Sequence, residues 1–137
     1  MADISQPSIR VLSMPPIKKP QILLDGDITI VAFGEEFEHL GEDVMPVIAA
    51  AVDEAAQAKV PKVLLDMSSV KFFGSSYIEV LYRLWKQMES SGGRFVISGL
   101  HPYCREVLQV TNLDKIWTVV ADRGAGLAAL RSTPSKS

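Results

Sequence analysis

Two short runs, Val63-Leu64-Leu65 and Phe95-Val96-Ile97, are apolar at every position. A strand with one face in water alternates apolar and polar residues, so an unbroken run implies a strand covered on both faces. Such strands belong in the middle of a sheet that carries helices on each side. The segments around them read in the order hairpin, then α-β-α-β-α-β-α. Strands alternating with helices imply right-handed crossovers and a mostly parallel sheet. The expected fold is therefore α/β, with a mixed, mostly parallel central sheet entered by a β-hairpin, and about four helices.

Residues 21–24 and 28–33 flank Asp25-Gly26-Asp27, where Gly26 can take positive φ; this predicts the hairpin. Residues 33–41 carry Glu35, Glu36 and Glu38 and read as a solvated loop. A helix over 43–58 follows from Val44, Val47, Ile48, Ala51, Val52 and Ala55 at helical spacing, with Pro46 in its first turn. A loop over 67–74 leads to a helix over 76–90, which Gly92-Gly93 ends. Pro102 opens a helix over 102–110, and a strand over 116–120 and a helix over 124–131 close the order. Four of the eight prolines (Pro7, Pro15, Pro16 and Pro20) fall in the first twenty residues, which read as an extended, flexible tail with room for a short strand over 9–12.

Composition narrows the function. At 137 residues the chain has room for one core, and 47% hydrophobic with 22% charged residues marks a globular protein. A net charge of -2 lacks the basic footprint of direct nucleic-acid binding. Cys104 is the single cysteine and His39 and His101 are the two histidines, so neither a disulfide nor a Cys/His zinc site is expected, and no cofactor is implied. No apolar run approaches the roughly 18 residues of a membrane span. The N-terminus lacks the charged and apolar regions of a secretory signal. These features point to the cytoplasm, without membrane insertion.

Catalytic motifs are missing. There is no GxxxxGK[ST] and no GxGxxG after a strand, and Gly74-Ser75-Ser76-Tyr77-Ile78 lacks the second glycine of a nucleophile elbow. Ser75, His101 and Asp66 could be drawn as a triad, but a triad is recognised by geometry. Asp66 could mimic a receiver-domain phosphoacceptor, except that the opening hairpin does not fit that topology. Cys104 lies near a helix start, where a thiolate would be favoured, but with no redox partner nearby in sequence a partly packed, inert thiol is the reading adopted.

The most informative segment runs from Val63 to Leu81 as strand, loop, paired serines and helix. Ser76 and Glu79 have the spacing of a capping box, which would leave Ser75 just before the cap. The Ser75 hydroxyl would then lie beside unpaired backbone N–H groups and the positive end of the helix dipole, a position that tolerates a phosphate. Both serines also make sense as plain capping residues. Along the same helix Tyr77, Ile78, Val80, Leu81, Tyr82, Leu84, Trp85 and Met88 cover an arc of roughly 200°, against the roughly 100° that packing on one sheet face needs. Either Tyr77, Val80, Leu84 and Met88 form an exposed partner surface, or the helix is buried more deeply against a neighbouring helix.

The segment from about Asp27 to Asp122 resembles a STAS domain, of the anti-sigma factor antagonist (anti-anti-sigma factor) family. The likeness rests on the hairpin, helix and strand ending in Leu65-Asp66-Met67-Ser68 and on Val70-Lys71-Phe72-Phe73-Gly74-Ser75-Ser76, set against a family pattern of a hydrophobic pair followed by Asp-Ser-Ser-Gly. Gly92-Gly93-Arg94 and the stretch from Leu108 through Leu113-Asp114-Lys115-Ile116 complete it. The resemblance implies a STAS domain over 20–132, between a proline-rich tail over 1–19 and a loose end over 133–137. It implies a regulatory module, not an enzyme, that binds an anti-sigma factor which is also a serine kinase. Phosphorylation ends that binding, and a serine phosphatase restores it. The phosphorylated serine falls on Ser75, with Ser76 the lesser candidate, and the partner-binding residues on Gly74, Ser75, Ser76, Tyr77, Val80 and Leu84. Gly74 stands where the family has Asp, and Tyr77 where it has Gly. A constitutive STAS subunit of a transporter ATPase or signalling assembly, with no phosphate switch, is the alternative. A small enzyme using Ser75 or Cys104 is the third reading.

Overall fold

The computed structural model describes residues 19–57 and 61–132. The tail expected over 1–19 lies outside these except for Lys19, as do the strand expected over 9–12 and residues 133–137. The chain opens with strands β1 (Gln21–Asp25) and β2 (Ile28–Ala32). Next come a 3₁₀ turn at Glu35–Phe37, strand β3 (His39–Leu40), a 3₁₀ turn at Glu42–Val44 and helix α1 (Met45–Ala55). Strands β4 (Lys62–Asp66) and β5 (Phe72–Phe73) precede helix α2 (Ser75–Ser91). Strand β6 (Arg94–Ser98), helix α3 (Pro102–Val110), a 3₁₀ turn at Leu113–Lys115, strand β7 (Thr118–Val120) and helix α4 (Arg123–Ser132) follow.

The main sheet has the order β1-β2-β4-β6-β7. β1 pairs antiparallel with β2 across a turn in which Gly26 takes φ 64°, and the other pairs are parallel. The all-apolar runs thus form the central strand β4 and its neighbour β6, as expected. Strand alternation divides the core between the two faces. Val63 and Leu65 join the large cluster under α1, α2 and α3, while Leu64 joins Ile30, Val96 and Leu130 under α4.

Some boundaries, and one loop, differ from the sequence reading. The first helix starts two residues late, because residues 42–44 form a 3₁₀ turn. The last strand begins at Thr118, because residues 113–115 are likewise a 3₁₀ turn. The acidic stretch over 33–41 is not simply solvated: Phe33 and Phe37 are buried, with their rings edge-on at 6.1 Å. At the end of β4, the buried carboxylate of Asp66 accepts from Ser68 and, at 2.8 Å, from Arg123, which ties the start of α4 to the sheet. No helix among the described residues is long and apolar enough to cross a membrane.

Candidate functional site

The paired serines are positioned by a small second sheet. β5 lies parallel to β3, with His39 opposite Phe72 and Leu40 opposite Phe73. The backbone N–H groups of Lys71 and Phe72 both donate to the Glu38 carbonyl, at 2.8 and 3.1 Å, and Lys71 Nζ meets the Glu38 carboxylate at 3.3 Å. Alternation puts Leu40 and Phe73 in the core and His39 and Phe72 outside. The Phe72 ring, 40% exposed, stacks on that of Tyr103, 48% exposed, at 5.6 Å, with His39 alongside at 6.2 Å.

Gly74 is the N-cap of α2, in extended conformation, and Ser75 is the first helical residue. No side chain among the described residues caps this end. The first-turn N–H groups therefore have no partner further back in the helix, apart from the turn bond of Tyr77 N–H to the Gly74 carbonyl at 3.2 Å. The Ser75 side chain is exposed, beside these N–H groups. The capping box expected of Ser76 and Glu79 is not formed. The helix begins two residues earlier than that motif requires, so Ser76 lies inside its first turn, where its hydroxyl cannot fold back to cap. It donates instead to the carboxylate of Glu42, in the 3₁₀ turn before α1. Between Gly34 and Val44 the chain carries Glu35, Glu36, Glu38, Glu42 and Asp43, so this flank is acidic.

Of the two alternatives for the wide apolar arc, the structure shows deeper burial and not an exposed surface of Tyr77, Val80, Leu84 and Met88. All four are buried, with exposures of 0, 6, 2 and 2%. The wide arc is covered from three sides: by the sheet, by α1 and by the aromatic residues of the 33–41 segment. Tyr77 packs edge-on against Phe33 at 6.0 Å and against Phe73 at 5.3 Å, and its hydroxyl donates to Met67 Sδ at 3.4 Å. Burial pushes its phenol well above the ordinary range. Tyr77 thus fills core and presents no ring to a partner. Of the six expected partner-contact residues, Gly74, Ser75 and Ser76 lie at the accessible helix end, and Tyr77, Val80 and Leu84 do not. The outward side of α2 carries Tyr82, Trp85 and Lys86, with Lys86 Nζ over both rings.

Sequence reasoning missed Glu42 and the Phe72–Tyr103 stack. Adjacent phenylalanines before a turn did carry a signal, since in an extended segment one of two neighbours must face out. The contact between Ser76 and Glu42 spans 34 residues and leaves no local trace.

The nucleophile readings find no geometric support. His101 caps α3, its Nδ1 accepting from Tyr103 N–H at 3.3 Å, and Asp66 is held by Ser68 and Arg123, so the drawn triad is not assembled. Cys104 is buried, its Sγ 3.9 Å from the Val70 carbonyl, and burial pushes its thiol up to about 11.

A five-stranded mixed sheet with three helices on one face, and an exposed serine opening the second of them, makes this an α/β domain. The STAS domain family model matches residues 24–125, and the chain belongs to that family. The solved STAS-domain anti-sigma-factor antagonist from Planctomyces limnophilus is 35% identical, with TM-score 0.78, over 84% of this chain and 99% of that one. BtrV of Bordetella bronchiseptica, named as a candidate anti-sigma factor antagonist, is 28% identical over 62% of this chain and 70% of its own length. The Bacillus cell fate determinant SpoIIAA, in its phosphorylated form, shares the fold at 19% identity and TM-score 0.64, over 82% of this chain and 99% of that one.

Proposed function

We propose that the chain works by partner switching: unmodified, it binds an anti-sigma factor that is also a serine kinase, and phosphorylation of Ser75 by that partner ends the binding until a serine phosphatase restores it. The observation that carries this reading is the position of Ser75, exposed as the first residue of α2 at an end that no side chain among the described residues caps. A phosphate there adds about −1.5 to −2 charges at neutral pH. The helix N-terminus offsets part of that cost within the protein, so the fold survives. The partner has no such compensation. Docking over Ser75 must strip water from the phosphate, in a neighbourhood that Glu42 already makes acidic.

The test is mass spectrometry after treatment with the cognate kinase, together with binding titrations. Ser75→Ala should bind and resist switching, and Ser75→Asp should fold normally and bind at least tenfold more weakly, which corresponds to about 1.4 kcal/mol. Phosphate on Ser76 alone, or on neither serine, removes Ser75 as the switch. One observation favours the second reading, a constitutive STAS subunit of a transporter ATPase or signalling assembly: Gly74 offers no carboxylate beside the acceptor hydroxyl. Equal binding by Ser75→Ala and Ser75→Asp would select that reading.

A further inference from the structure

Ser75 and Ser76 adjoin in sequence but differ in what surrounds their hydroxyls. Ser75 is exposed, and its hydroxyl has no partner among the described residues. Ser76 is partly buried, and its hydroxyl donates to the Glu42 carboxylate. The second sheet sets up this contact. β3 and β5 run parallel with Leu40 opposite Phe73, so the two chains leave that sheet side by side in one direction. Two residues on, the first reaches Glu42; three residues on, the second reaches Ser76. Glu42 opens a 3₁₀ turn that the Val44 N–H closes on the Gly41 carbonyl at 3.3 Å. Lys71, on this flank, is taken by Glu38, and no ion pair among the described residues neutralises Glu42.

We propose that Glu42 selects the phosphate acceptor: it holds the Ser76 hydroxyl and repels a phosphate there, which leaves Ser75 to the kinase. The inference rests on the reading of the chain as a serine-kinase substrate. In the transfer, the serine oxygen bonds the γ-phosphorus of a nucleoside triphosphate. The bond from that phosphorus to the bridging oxygen breaks, the nucleoside diphosphate leaves, and the hydroxyl gives up its proton. At Ser76 the oxygen would first have to leave Glu42, and the product would set about −1.5 to −2 charges against the carboxylate. A like-charge contact of that size at about 4 Å disfavours the site by about tenfold even in water. Glu42 as a base that activates Ser76 is the competing role. Transfer through a loose transition state gains little from proton removal, whereas the phosphoryl oxygens are charged throughout. Repulsion therefore outweighs activation. Ser75 meets neither obstacle, and the first-turn N–H groups beside it favour an anion.

The test is the Ser75-to-Ser76 ratio in singly phosphorylated full chains, read by site-resolved mass spectrometry at the initial rate with the cognate kinase. Both sites are read in one complex, so any effect of Glu42 on docking cancels. The natural chain should favour Ser75 by about tenfold or more, and Glu42→Ala should lower the ratio by about tenfold. Glu42→Gln, which keeps an acceptor and loses the charge, should lower it too. An unchanged ratio in both variants overturns the proposal and leaves Ser75 as the switch. Phosphate mainly on Ser76 of the natural chain and lost in Glu42→Ala would make Glu42 a base, which also overturns it. A second measurement needs no kinase. Glu42→Gln should raise the Tm of Ser76→Asp by about 2 °C or more beyond its effect on the natural chain, and should do less for Ser75→Asp. Equal coupling at the two positions overturns the proposal. If neither serine takes phosphate, the switch reading falls, and this coupling alone decides whether Glu42 sets the two serines apart.

Discussion

The two ends of α2 are finished in opposite ways. At the C-terminal end Gly92 adopts φ 75°, a left-handed conformation that a side chain resists, and the Gly93 N–H returns to the Met88 carbonyl at 2.9 Å. The Ser91 hydroxyl also donates to the Gln87 carbonyl at 2.9 Å. At the N-terminal end Gly74 has φ −104° and ψ −171°, extended backbone open to any residue, and nothing lies within 4 Å of where its Cβ would be. The fold requires a glycine at 92 and leaves the choice at 74 free. Stability is therefore concentrated at the closed end and beneath the helix, and the open end is where sequence can be spent on recognition.

The strongest way to break this contrast is to remove what supports the open end from below. Tyr77→Ala should cost about 3–5 kcal/mol in urea denaturation, because it empties a buried site between Phe33 and Phe73. A loss under about 1 kcal/mol would mean that the first turn of α2 is held mainly by its surface contacts. The next largest effect belongs to the closed end: Gly92→Ala should cost about 1–2 kcal/mol, the penalty of an L-residue in left-handed backbone. A neutral result would show that this end can refinish itself without the left-handed turn.

Legibility in the sequence follows the same division. β4 and β6 were readable because three consecutive apolar residues leave no polar face for water. The hairpin was readable from Gly26 between two short runs, and the third helix, now α3, from Pro102 at its start. The second sheet was not readable, because β3 and β5 are two residues long and no periodicity shows over that length. The site was half readable. The spacing of Ser75 and Ser76 before an apolar helix put them near its start, but a residue's depth depends on what covers it. Phe33 and Phe37 come from a stretch whose glutamates read as solvent-facing, yet both are buried in one core cluster with Tyr77 and Leu84, and the Phe33 ring packs edge-on against Tyr77. The 200° arc was thus correctly measured and its cover was invisible, since that cover comes from segments distant in sequence from the helix it shields.

The smallest effect on stability is the most telling for function. Gly74→Asp introduces a carboxylate where a Cβ meets open space and the backbone is already extended, so the substitution costs no strain. An N-cap Asp can accept from the free first-turn N–H groups and complements the helix dipole, which over glycine is worth a few tenths of a kcal/mol. The nearby Glu42 carboxylate opposes part of that gain, so a rise of at most about a degree or two in Tm is expected. The same carboxylate would stand beside the Ser75 hydroxyl, as the family's acid does. If Ser75 is the switch, the cognate kinase should phosphorylate Gly74→Asp faster than the natural chain, read as the initial rate of phosphate incorporation. A changed Tm with an unchanged, near-zero rate would separate the two properties: the open end would accept a cap without becoming a kinase substrate, and the constitutive reading would gain. A lowered Tm would contradict the openness of position 74, and with it the claim that the fold leaves this end free.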